Sequence, residues 1–238
     1  MIKPTLTLAR VVCRLDVKPK SLAYHGLREN FGAKYYPAPY ADWELGPHIL
    51  RLNDQKQHRR MSLEADALGF DADVPTDVGS LQRQILGSVE DYLKSLVTRS
   101  EPSRFGWRAF FLTEHTSFQT LYPLLRKNTL TPSQPWWRVD GFEVRDTAHV
   151  IYYGTEDDGL NLNVGVLTSQ QGEDFPKALG FKTPAPKELA VSDGALLVDL
   201  DRYVKVFGRK DQFQRLLGEH EKLVKIANAM ADSLLNTA

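Results

Sequence analysis

Two aspartates two residues apart, Asp199 and Asp201, close the apolar run Leu196-Leu197-Val198. On a strand, residues two apart share a face, so both carboxylates point the same way and could offer hard oxygen ligands to Mg²⁺. Arg104 and Arg108 lie four apart in another apolar run and share a strand face for the same reason. In a cleft between two halves, this quartet would suit an enzyme acting on a phosphorylated or nucleotide substrate. The competing reading is favoured: the aspartates pair with Arg202, Arg104 or Arg108, and the charges stabilise a sheet instead of doing chemistry.

Other reactive groups are sparse. His25, His48, His58, His115, His149 and His220 show no His-x-x-x-His or His-x-Glu spacing of a zinc site. Glu114-His115 could form an acid–base pair with a distant carboxylate, whereas His220 falls on an apolar helical stripe and reads as a packed histidine. There is no Gly-x-Ser-x-Gly elbow, no phosphate-binding P-loop and no dinucleotide glycine fingerprint. The single cysteine, Cys13, cannot form an internal disulfide or a cysteine-rich metal site, and its apolar neighbours mark it as a small buried hydrophobe. No catalytic residue, metal or cofactor is assigned.

Binding chemistry is better represented. Arg51, Lys56, His58, Arg59 and Arg60 form a basic run, followed at once by Glu64, Asp66, Asp71, Asp73 and Asp77. With the nearby aromatics the basic run could bind single-stranded nucleic acid. The formal net charge of zero and the adjoining acidic block argue instead for charge pairing between adjacent antiparallel strands. Tyr35, Tyr36, Tyr40 and Trp43 sit among Pro37, Pro39 and Pro47, and Trp136-Trp137 follows a proline-rich loop. Large aromatics in such loops either staple the loop to the core or anchor a partner. The binding candidates are therefore Tyr36, Tyr40, Trp43, Arg104, Arg108, Trp136, Trp137 and Asp201.

The elements that must position these residues follow from periodicity. Alternation over Thr5–Val17 predicts a strand, and Ser21–Asn30 a short helix. Strands are expected over His48–Asn53, His58–Ala65 and Ala67–Val74, then a helix over Thr76–Ser100 striped by Leu81, Ile85, Val89, Tyr92 and Leu96. Ser100-Glu101-Pro102-Ser103 breaks the pattern, and the order then restarts. Arg104–Thr113 is a strand, with Phe105, Trp107, Ala109 and Phe111 on one side, and Thr116–Asn128 a helix shortened or kinked by Pro123. Strands are expected over Trp137–Val144, His149–Tyr153 and Leu160–Thr168, an irregular insertion over Ser169–Gly194, a strand over Ala195–Val206 and one helix over Asp211–Leu235. The fold class is thus α+β: two tandem related β-α-β-β-β-α units, mostly antiparallel sheet packed against long helices. The halves are residues 1–102 and 103–238, the second carrying the insertion 169–194.

The 238 residues are 42% hydrophobic and 25% charged, an ordinary globular balance that needs no disulfide staples. No apolar stretch approaches the roughly 20 residues that span a bilayer, and the N-terminal residues lack a signal-peptide pattern, so a cytoplasmic location without membrane partners is expected.

Three stretches in order carry a family likeness: Arg104-Phe105-Gly106-Trp107-Arg108, Leu196-Leu197-Val198-Asp199-Leu200-Asp201-Arg202-Tyr203, and the closing helix with Glu219-His220-Glu221. With the opening strand they resemble a sporadically distributed family of uncharacterised bacterial proteins. The resemblance implies a protein of the bacterial accessory genome with a duplicated α+β architecture and no catalytic residues to transfer. This sequence departs from it after Arg108, where Ala109-Phe110-Phe111 replaces a Tyr-Ile-Asn-like run. The Asp199 run also superficially resembles the phosphatase motif of the haloacid dehalogenase group. That group carries its nucleophilic aspartate on an early strand, and here Tyr203 stands where Thr or Val is expected. The function expected is a non-enzymatic binding or regulatory protein that engages a protein partner or its own copy through the aromatic loops. The alternatives are the Mg²⁺-dependent enzyme using Asp199 and Asp201, and the nucleic-acid binder.

Overall fold

The computed structural model describes residues 5–18, 24–96, 100–113, 117–129, 138–139, 142–143, 148–191, 193–205 and 210–235. Among these, β1 (Leu6–Lys18) and β6 (Glu101–Thr113) are the longest strands, and they pair antiparallel along nearly their full lengths. Outward from β1 lie β5 (Ala67–Asp73), β4 (Arg59–Glu64), β3 (Ile49–Asp54) and the edge strand β2 (Asp42–Leu45). Outward from β6 lie β11 (Gly194–Val204), β10 (Asp158–Thr168) and the opposite edge strand β9 (Ala148–Gly154). Every neighbouring pair in this nine-stranded sheet is antiparallel. β7 (Arg138–Val139) and β8 (Phe142–Glu143) form a separate short hairpin.

Alternation sets the two faces. Val11, Cys13, Leu15 and Val17 of β1 and Phe105, Trp107, Ala109 and Phe111 of β6 point to one side and are all buried. That side is covered by α1 (Tyr24–Tyr35), α2 (Val78–Ser95), α3 (Phe118–Thr129), α5 (Lys210–Gly218) and α6 (His220–Leu235). In α2, Asp77 caps the helix by accepting from the Ser80 N–H at 2.8 Å, and Leu81, Ile85, Val89 and Tyr92 form the inward stripe. In α6, Leu223, Ala227, Ala231 and Leu234 do the same. These residues belong to one cluster spanning both ends of the sheet. No helix among the described residues is long and apolar enough to cross a membrane.

Three departures from the sequence-derived expectation have physical reasons. β6 starts at Glu101 because the Glu101–Pro102 segment pairs with Lys18 and Val17 of β1, so the apparent breaker is strand. The closing helix is two helices, interrupted at Glu219 after Gly218, the poorest helix former after proline. The break lets Glu219 accept from Arg202 Nε at 2.7 Å and sets His220 Nδ1 3.4 Å from the indole N–H of Trp107. The segment 169–194 is not irregular throughout: Ser169–Lys177 is a helix, α4, closed by a capping box between Thr168 and Gln171.

Candidate binding surfaces

The face of the sheet without the five helices carries alternating charges, which pair between neighbouring strands, directly opposite or one step along the diagonal. Arg108 of β6 donates from Nε and Nη2 to both oxygens of Asp199 on β11, at 2.7 and 2.6 Å. Asp199 is buried, and its carboxylate raises the Arg108 pKa above the usual guanidinium value. Arg104 meets Asp201 at 3.1 Å and lies over the Tyr203 ring at 4.9 Å. Arg10 of β1 meets the buried Asp73 of β5 at 2.6 Å. Arg60 of β4 stands opposite Asp71 of β5 and donates to Asn53 of β3 at 2.8 Å. Burial nevertheless outweighs the nearby arginines and pushes the Asp71 carboxyl up to about 6.

The quartet singled out by spacing, Arg104, Arg108, Asp199 and Asp201, does come together on one face, as two Arg–Asp pairs. Among the described residues there is no group of three or more His, Cys, Asp or Glu able to hold a metal ion. The carboxylates of Asp199 and Asp201 are engaged by guanidinium groups, an arrangement suited to joining β6 to β11. Arg59 and Arg60 do not present one surface: Arg60 lies on this charged face, whereas Arg59, one residue earlier, points to the other and lines a cavity beside Tyr40.

The segment 169–191 crosses the charged face as a strap. Phe175 of α4 lies 4.5 Å from the Arg10 guanidinium and 5.8 Å from the Phe110 ring. Further along, Phe181 packs against His58 and Arg60, and the Lys182 ammonium reaches Asp42 of β2 at 3.1 Å. The strap therefore runs from β10 to the far edge of the sheet. Nothing in its composition announced this, because most of the partners it meets are over a hundred residues away.

The aromatic loop divides into a staple and a surface. Tyr40 is 1% exposed, and its hydroxyl accepts from Gln84 Nε2 at 3.0 Å, so it holds the loop against α2 and is closed to a partner. Tyr36 and Trp43 are open, Trp43 at 51% exposure. With Leu45, Leu50, Leu52, Gly32 and Ala33 they line a groove of about 410 Å³ between α1 and the edge strand β2. Trp136 and Trp137 lie outside the described residues. Sequence reasoning missed a second aromatic surface, Val150-Ile151-Tyr152-Tyr153 on β9, although four consecutive large apolar residues without a charge were visible as a signal.

No protein-family model and no curated protein matches this sequence. Among solved structures, the chain is similar to Methanococcus jannaschii TBP at a TM-score of 0.36 and 7% identity, over 97% of this chain and 98% of that one.

Proposed function

We propose that this chain is a non-enzymatic binding protein of the cytoplasm that captures an extended segment of a protein partner along β2. The observation that carries this reading is a contrast between surfaces. The charged face is neutralised within itself, Arg108 with Asp199 and Arg104 with Asp201, whereas the groove beside β2 is apolar and open. A segment added antiparallel to β2 gains main-chain hydrogen bonds from the strand's outer edge, on which no other strand lies among the described residues, and lays alternate side chains beneath α1. Trp43 and Tyr36 serve as aromatic anchors.

The reading includes two tandem related units joined at β1 and β6. It is supported by the sheet order, which runs β1-β5-β4-β3 one way and β6-β11-β10-β9 the other. The family resemblance supports a place in the bacterial accessory genome.

The test is selection of ten-residue peptides from a displayed random library, followed by anisotropy titration. Selected peptides are expected to alternate apolar residues and to lose at least about tenfold in affinity, roughly 1.4 kcal/mol, on Trp43→Ser. Arg108→Ala leaves their affinity unchanged. Peptides indifferent to Trp43→Ser, or no binder at all, overturn the proposal.

A further inference from the structure

The opposite edge of the sheet raises a separate question. β9 pairs with β10 along its whole length, and among the described residues no strand lies on its other side. Val150, Ile151, Tyr152 and Tyr153 are 51, 38, 75 and 49% exposed. Edge strands are ordinarily guarded by shortness, charge or proline. β2 is guarded against its own copy: it has four residues, including Asp42 and Glu44. β9 has seven residues and none of Asp, Glu, Lys, Arg or Pro.

The two edges differ most sharply in how they would meet a copy of themselves. An antiparallel β2 pair centred on Trp43 sets Asp42 against Glu44, and one centred on Glu44 sets that residue against itself. Like charges directly opposite are destabilising, so β2 rejects its own copy. An antiparallel β9 pair has its natural centre at Ile151, midway along Ala148–Gly154. That register sets Ile151 opposite Ile151 and Val150 opposite Tyr152 of the second copy. On the helix-covered side it sets His149 opposite Tyr153. The pairs from His149 to Tyr153 are apolar, aromatic or β-branched, the combinations that stabilise antiparallel ladders. His149 introduces no charge near neutral pH, because desolvation lowers its pKa, and its Nε2 is buried without a hydrogen-bond partner among the described residues.

We infer that the chain forms a two-fold homodimer by antiparallel pairing of β9 with β9 of a second copy, centred on Ile151. The sheet then continues across the axis. The contact is isologous, so it uses the same unguarded edge of each copy and closes at two. The outer edges of the dimer are the charged β2 strands, which stops further growth. The partner groove beside β2 remains open in both copies.

The experiment is sedimentation velocity over a concentration series, with far-UV circular dichroism to verify folding. The wild-type chain is expected to sediment as a dimer at roughly 10 μM. The double variant V150K/Y152K sets lysine against lysine twice and is expected to be a folded monomer, as is V150E/Y152E. Both positions are half-exposed or more, so the monomers keep their core. Mixing the two variants is expected to restore the dimer as a heterodimer, which an accidental surface contact would not do. Trp43→Ser leaves the mass unchanged, so the dimer and the peptide groove stand or fall separately. A wild-type monomer up to roughly 100 μM, or folded double variants that remain dimeric alone, overturns the proposal.

Discussion

Arg108 and Asp199 show what the charged residues do for the molecule. The pair is bidentate, with the carboxylate side buried and the guanidinium half-exposed at the rim of the strap. Arg108→Ala leaves a buried carboxylate without its donor and is expected to cost about 1–3 kcal/mol in urea denaturation. Replacing both together, Arg108→Met with Asp199→Leu, removes the desolvation cost along with the attraction and is expected to come close to wild type. Asp71 illustrates the opposite balance. Its folded pKa of about 6 exceeds the usual carboxylate value of roughly 4, so the folded state holds this proton more tightly than the unfolded state does. Its contribution to stability therefore declines as pH rises through 4 to 6. Asp71→Asn is expected to raise stability at pH 8 by about 1–3 kcal/mol and to change nothing below about pH 4. Thermal melts of the two proteins at pH 4 and pH 8 check both ends, and a stabilisation of equal size at both would refute it.

At the scale of elements, the strap depends on one close approach. A Cβ on Gly172 of α4 would stand 2.3 Å from Val191 Cβ, so Gly172 is the seat on which the returning end of the strap rests. Gly172→Ala forces one of the two apart and is expected to cost about 1–3 kcal/mol. Faster amide exchange over 175–191, with α2 and α6 unchanged, would locate the effect in the strap. The strands and helices of the core were legible in the sequence because one period dominated each. The alternation of Val11, Cys13, Leu15 and Val17 and the stripe of Leu81, Ile85, Val89 and Tyr92 required no knowledge of the rest of the chain. The strap was not legible, since Phe175 and Phe181 find their cationic partners on β1 and β4, far away in sequence. The same holds within the aromatic loop. Spacing marked Tyr40 and Trp43 alike, and only packing against α2 separates the buried staple from the exposed anchor.

For the whole molecule, the long β1–β6 pairing decides how the chain unfolds. These two strands contribute Leu15, Val17, Phe105 and Trp107 to a single buried cluster, and helices from both ends of the sequence cover it. Neither set of residues can lose its cover without exposing the other, so unfolding is expected to be one cooperative transition. The chain supplies its own probes. Cys13 is buried in β1, and burial raises its thiol pKa well above the usual value, so it reacts with a thiol reagent only when β1 opens. Three of the four tryptophans follow residue 103, so fluorescence reports mainly on the second half. Cys13 labelling and tryptophan fluorescence, followed through the same urea series, are expected to share one midpoint. If thiol labelling preceded the fluorescence change by a clear interval of denaturant, β1 would be detaching from β6 first, and the two halves would be separate folding units that merely share an edge.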